Sequence, residues 1–113
     1  MHVGLQDIHT KESIPGLITA TVINFSPKGA CLIIPNPAID GKHLFFDTLH
    51  SNRYNLVLFF AEQGNGSDSY TIAAESVWMD SCEYQSKSAF KIGIRFLHNQ
   101  NKLFHNLKKK FDH

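Results

Sequence analysis

The sequence predicts an all-β domain followed by one C-terminal helix, on three observations. From Leu17 to Phe96, Ile, Val, Phe and Thr recur in alternation or in short blocks, as suits a half-buried pleated surface. Turn signals such as Ser26-Pro27-Lys28-Gly29 and Asp40-Gly41 cut those blocks at the intervals of an antiparallel sandwich or barrel. After Leu97 the apolar period changes from two to about 3.6, with Leu103, Phe104, Leu107 and Phe111 at helical spacing.

The elements follow in order. Residues 1–15 mix polar and apolar types without a sustained period and end at Ile14-Pro15-Gly16, so they are expected to form an N-terminal arm. The β domain then covers 16–98 and the packed helix 99–113. In the first strand, Leu17 to Phe25, Ile18, Ala20 and Val22 fall on one face and Thr19, Thr21 and Ile23 on the other. Gly29 closes the turn into a second strand, Ala30 to Ile34, which Pro35 and Pro37 stop because neither donates a ladder hydrogen bond. Asp40-Gly41 turns the chain into a short run, His43 to Phe46. Arg53 to Ala61 is the next strand, joined through the polar stretch Gln63 to Ser69 to a strand from Tyr70 to Met79. In the last strand, Ala89 to Phe96, Phe90, Ile92, Ile94 and Phe96 face inward while Lys91, Gly93 and Arg95 face outward. Asn99 or Asn101 can cap the helix, and Lys108, Lys109 and Lys110 complement its dipole in the last turn.

The totals exclude several functions. A chain of 113 residues is one domain, burying roughly 65 % of its unfolded surface. Its 42 % apolar content and nine Phe point to a packed interior, and the initial Met1 suggests a complete small chain. Eleven Lys and Arg against ten Asp and Glu leave a formal charge of +1, too little field to hold a nucleic-acid polymer. The longest apolar run, Leu56 to Ala61, falls far short of a bilayer span, and the N-terminus lacks a signal core, so a cytoplasmic protein without membrane insertion is expected. Cys31 and Cys82 read as two reduced thiols.

No nucleophile elbow, phosphate loop or Cys-His signature is present, so no enzyme is expected. The seven histidines are scattered without His-x-x-x-His spacing; His98 and His105 alone could share a helical face, and no metal site is expected. Trp78, between Val77 and Met79, is expected in the core rather than as a stacking platform.

One polar turn stands out. In Asn24-Phe25-Ser26-Pro27-Lys28-Gly29-Ala30, Asn24, Ser26 and Gly29 have the spacing [Asp/Asn]-x-Ser-x-x-Gly. Asn24 offers a donor and an acceptor, Ser26 a hydroxyl, and Gly29 permits positive φ and close backbone approach, a set able to grip a flat hydrogen-bonding ligand. From the residues alone, the alternative is that Asn24 and Ser26 bond their own turn and Gly29 supplies its geometry.

With Glu75-Ser76-Val77-Trp78, and with Gly93-Ile94-Arg95-Phe96 followed by a helix, the chain from about Gly16 to Leu97 resembles the bacterial PilZ domain. The resemblance implies a six-stranded antiparallel PilZ-like β-barrel with a C-terminal helix. It also implies cyclic di-GMP as ligand, with Asn24, Ser26 and Gly29 contacting a guanine and the phosphate edge. The family places an Arg-x-x-x-Arg motif on the arm before the first strand, whereas here residues 1–23 hold Lys11, with His2 and His9, and no arginine. Lysine cannot reproduce a planar guanidinium fork on phosphate, and Arg53 and Arg95 fall within expected strands. Binding is therefore expected to be weak or completed by another chain, in a regulatory module of motility, pilus or surface-attachment control. Family members without the arginines imply the alternative of a nucleotide-independent adaptor, for example in type IV pilus assembly. For a partner surface the candidate is Leu44-Phe45-Phe46, because three successive apolar residues cannot all point inward from one strand; a homodimer or a larger machine could use it.

Overall fold

The computed structural model describes residues 1–49, 52–61 and 69–98. These residues form β1 (His2–Asp7), β2 (Ile18–Thr19), β3 (Thr21–Phe25), β4 (Gly29–Ile34), β5 (Ala38–Ile39), β6 (Lys42–His43), β7 (Tyr54–Ala61), β8 (Ser69–Tyr84) and β9 (Lys87–Phe96), with no helix among them. The fold is all-β. A seven-stranded sheet has the order β2-β1-β7-β8-β9-β4-β3, and β5 and β6 form a separate pair. Every ladder is antiparallel.

The expected six-stranded closed barrel is corrected to this seven-stranded sheet. The stretch expected as one strand from Leu17 to Phe25 divides at Ala20: β2 pairs with β1 and β3 pairs with β4. The two edge strands are thus neighbours in the chain without sharing a ladder, and the Ala20 N–H donates to the Met1 carbonyl at 2.9 Å at the corner between them. The expected arm is corrected in part as well. Val3 and Leu5, 0 % and 1 % exposed, lie in β1 between β2 and β7. A three-residue apolar stretch shows no period, and a distant strand supplies its partner. The expected helix over residues 99–113, with its caps and lysines, lies outside the described residues, as do residues 62–68. Among the described residues no helix is long and apolar enough to cross a membrane.

One face of the sheet makes the core. Val3, Leu5, Ile18, Leu32, Ile34, Leu56, Leu58, Ile72, Ile92, Ile94 and Phe96 are buried in one cluster that Leu44 and Phe45 join. In β9 the inward set is the expected one, Ile92, Ile94 and Phe96 buried and Phe90 packed against them. Burying each such side chain contributes about 1.5–3 kcal/mol.

Candidate functional site

The turn between β3 and β4 is held by its own polar groups. The Ser26 N–H donates to the Gly29 carbonyl at 2.9 Å, and the Lys28 carbonyl accepts from the Phe96 N–H at 2.8 Å, tying the turn to the end of β9. The Ser26 hydroxyl accepts from the Lys28 and Gly29 N–H groups, both at 3.3 Å, and donates to the Gly29 carbonyl at 3.2 Å. Ser26 therefore shapes the turn. Gly29 does not adopt the positive φ expected of it. It sits in β4 opposite Arg95, where a Cβ would run into the Ile94 carbonyl oxygen, so a glycine lets the two strands meet. The close approach is to the protein's own backbone.

Asn24 is exposed on the outer face of β3, next to a bulge between Val22 and Asn24. The bulged residue, Ile23, is 51 % exposed. Across the sheet, Asn24 stands opposite Cys31, Cys31 opposite Gly93, and Gly93 opposite Trp78. The four strands carry this row over about 14 Å at ~4.8 Å per strand.

A second bulge lies at the other end, between Ser76 and Trp78 in β8, and its extra residue, Val77, is 50 % exposed. Both bulges fall between the same two inward-facing rows, Val22-Leu32-Ile92-Met79 and Phe25-Ala30-Ile94-Ser76. A bulge re-aims side chains by inserting one residue against the partner strand. Ser76 stays inside, 2 % exposed and bonded through its hydroxyl to that of Thr48 at 2.6 Å, while Val77 and Trp78 both turn out.

Trp78 is thus corrected from core to surface, at 40 % exposure. Its indole lies across Gly93, occupying the place a Cβ would take there. Covering a strand glycine with an aromatic ring holds the ring flat against the sheet. Beside it, burial pushes the Cys31 thiol up, with Lys91 pulling the other way and Cys82 adding to the rise, so Cys31 is a neutral thiol rather than a nucleophilic thiolate. Cys31 and Cys82 are both free.

The cations of this face come from β9. Lys91 and Arg95 lie two residues on either side of Gly93 and share its outward face, as their alternation predicts. Lys91 stands opposite Asp80. The Arg95 Nε donates to Glu75 Oε1 at 2.8 Å and Nη2 donates to the same oxygen, with the arginine side chain still 64 % exposed. The other candidate cations lie elsewhere. Lys11 is on the turn after β1, where its N–H donates to the Asp7 carbonyl at 2.9 Å. Arg53 precedes β7 rather than belonging to it and lies 5.2 Å from the Tyr54 ring centroid, which Lys42 also approaches at 5.8 Å.

The expected run His43 to Phe46 is corrected from strand to turn, since β6 ends at His43. His43 Nδ1 accepts from the Phe45 and Phe46 N–H groups at 3.1 Å each, and Asp47 Oδ2 accepts from the His43 N–H at 2.6 Å, a reciprocal cap on one helical turn. At its other end the Thr48 hydroxyl donates to the Leu44 carbonyl at 2.7 Å, leaving an oxygen lone pair for Ser76. Leu44 and Phe45 are buried at 0 % and 8 %, whereas Phe46 is 65 % exposed, its ring 4.5 Å from that of His43 and 5.2 Å from that of Phe45. Of the three, Phe46 alone can meet a partner. Among the described residues no three His, Cys, Asp or Glu side chains gather as a metal site.

No family model matches the chain, and neither a curated protein nor a solved structure does.

Proposed function

We propose that the protein is a non-enzymatic, cytoplasmic PilZ-type regulatory module that binds cyclic di-GMP weakly on the outer face of β3, β4, β9 and β8, in control of bacterial motility, pilus function or surface attachment. The observation that supports it is the row from Asn24 through Cys31 and Gly93 to Trp78, set between two bulges with Lys91 and Arg95 on either side of its glycine. An indole laid flat is a stacking surface for a purine. A carboxamide on the same face can read a guanine edge through its donor and acceptor. Two exposed-face cations meet phosphate charge, though neither replaces the paired arginines of the family's arm. Ser26 and Gly29 hold the turn beneath Asn24 rather than touching the ligand.

Calorimetric titration of the full chain with cyclic di-GMP tests this reading, and the single Trp makes fluorescence an independent monitor. The expected result is binding in the micromolar range with quenching of Trp78, lost in Asn24→Ala and weakened at least tenfold in Trp78→Ala. Absence of heat at high micromolar nucleotide and low salt would overturn it.

One observation favours the adaptor reading: Phe46, 65 % exposed on a turn capped at one end by His43 and Asp47 and pinned at the other by Thr48. In that case Phe46→Asp abolishes recovery of a pilus or motility protein while circular dichroism stays unchanged. Phe45→Asp does not serve, because it places a carboxylate in the core.

A further inference from the structure

β8 is sixteen residues long, and its neighbours cover it unequally. β7 pairs with it from Ser69 to Ala74, and β9 pairs with it from Ala74 to Tyr84. On the side away from β9, the last pairing among the described residues is the isolated parallel bridge between Leu49 and Ser76. Among the described residues, none pairs with that edge from Val77 to Tyr84. β4 leaves β9 at Phe90, so among the described residues Cys82–Tyr84 and Lys87–Ala89 continue as a two-stranded ribbon. Such a ribbon is marginally stable in water, and an open edge presents unpaired N–H and C=O groups to any incoming strand.

The usual protections of an edge are sparse here. Between Trp78 and Tyr84 there is no Pro, Gly or Lys and no register shift against β9. Asp80, Ser81 and Glu83 are exposed, and Tyr84 is 37 % exposed. The two carboxylates are the one blunting device, and they select a register. In a twofold antiparallel pairing, opposed side chains share a face, so the axis passes through a residue. An axis at Asp80 or Glu83 sets a carboxylate against its own copy, and one at Met79 pairs no more than Val77 to Ser81, since Ser76 is already bridged to Leu49. Directly opposed like charges destabilise a sheet. Axes at Ser81 and Cys82 avoid this, and the Ser81 axis joins the longer stretch, Trp78 to Tyr84.

We infer that the open edge of β8 pairs antiparallel with the same edge of a second copy of this chain, in the register centred on Ser81. Trp78 then stands opposite Tyr84 of the second copy, twice by symmetry, and Asp80 stands opposite Cys82. Aromatic pairs across strands are among the more favourable cross-strand contacts. On the nucleotide reading proposed above, the second copy's Tyr84 extends the surface on which Trp78 lies, so the dimer supplies a residue to the site. The pairing itself does not depend on that reading.

Analytical ultracentrifugation of the full chain without nucleotide tests it. The expected mass is twice the 12.8 kDa of one chain, and a monomer at several hundred micromolar overturns the inference. Ser81→Lys, at an exposed position, is expected to weaken the dimer at least tenfold with unchanged circular dichroism; an unaffected dimer would place the interface elsewhere. With Cys31→Ser and Cys82→Ser in place, Ser81→Cys cross-links under mild oxidation, and Gln85→Cys, beyond the paired stretch, does not. Covalent dimers of the unmodified chain through Cys82 would move the axis there and refute the register. Because no nucleotide is present, a failed titration and a failed dimer are separate results.

Discussion

Gly29 and Gly93 occupy the outer faces of neighbouring strands, and neither has positive φ, yet they are glycines for different reasons. At Gly29 a Cβ would meet the backbone carbonyl of Ile94, which cannot move without parting β4 from β9. At Gly93 it would meet the indole of Trp78, a side chain that can swing away. The first glycine is a requirement of the sheet, and the second keeps an aromatic face flat on it. A glycine within a ligand-binding pattern can thus serve the fold, while one outside the pattern serves the candidate site.

Four substitutions sharpen this contrast. Gly29→Ala is expected to cost most, about 2–3 kcal/mol, the upper part of the range for overpacking because the obstacle is backbone. Urea unfolding measures it, and the emission of Trp78 in the folded state stays unchanged. Thr48→Val comes next at about 2 kcal/mol, since it leaves the Ser76 hydroxyl buried beneath the β8 bulge without its partner. Adding Ser76→Ala should recover part of that loss. Gly93→Ala is expected to cost only about 1 kcal/mol, the lower part of the overpacking range, while displacing the indole and shifting its emission to the red. In a double-mutant cycle with Trp78→Ala the two changes couple by at least about 0.5 kcal/mol, because they share one space. Equal costs at the two glycines would abolish the distinction between them.

Much of the sheet was legible because alternation survives where pairing is regular. In β9 the inward residues are those the pattern predicted, and Asp40-Gly41 forms a turn with φ of 47° and 75°. The turn at Gln85-Ser86 has φ of 51° and 64°, the same conformation without glycine, and so the expected strand stopped at Met79 when β8 runs to Tyr84. A turn forced by its flanking strands leaves no composition signal. β1 was hidden because its partners lie far along the chain. Of the residues that make the candidate site, Asn24 was named by its loop pattern, but Trp78 was not. A bulge shifts the parity of every residue after it, and bulges are set by the partner strand rather than by the residues they contain. Lys91 and Arg95 could be placed on the outer face from alternation; that this face carries the indole could not.

The smallest expected effect is that of Ser26→Ala, and it bears on the motif most directly. Its hydroxyl bonds measure 3.2–3.3 Å, long against the roughly 2.7–2.8 Å usual when a hydroxyl donates and the roughly 2.9–3.0 Å usual when an amide does. The turn keeps two backbone bonds without them, from the Ser26 N–H to Gly29 and from the Phe96 N–H to Lys28. The loss in stability is therefore about 0.5 kcal/mol, the low end for a partly exposed hydrogen bond. If Ser26 holds the turn and Asn24 reads the ligand, Ser26→Ala weakens cyclic di-GMP binding less than Asn24→Ala does, because the hydroxyl makes no contact with the nucleotide. Equal losses would mean that the hydroxyl leaves its turn to reach the nucleotide. The motif would then act as a contact rather than as a scaffold.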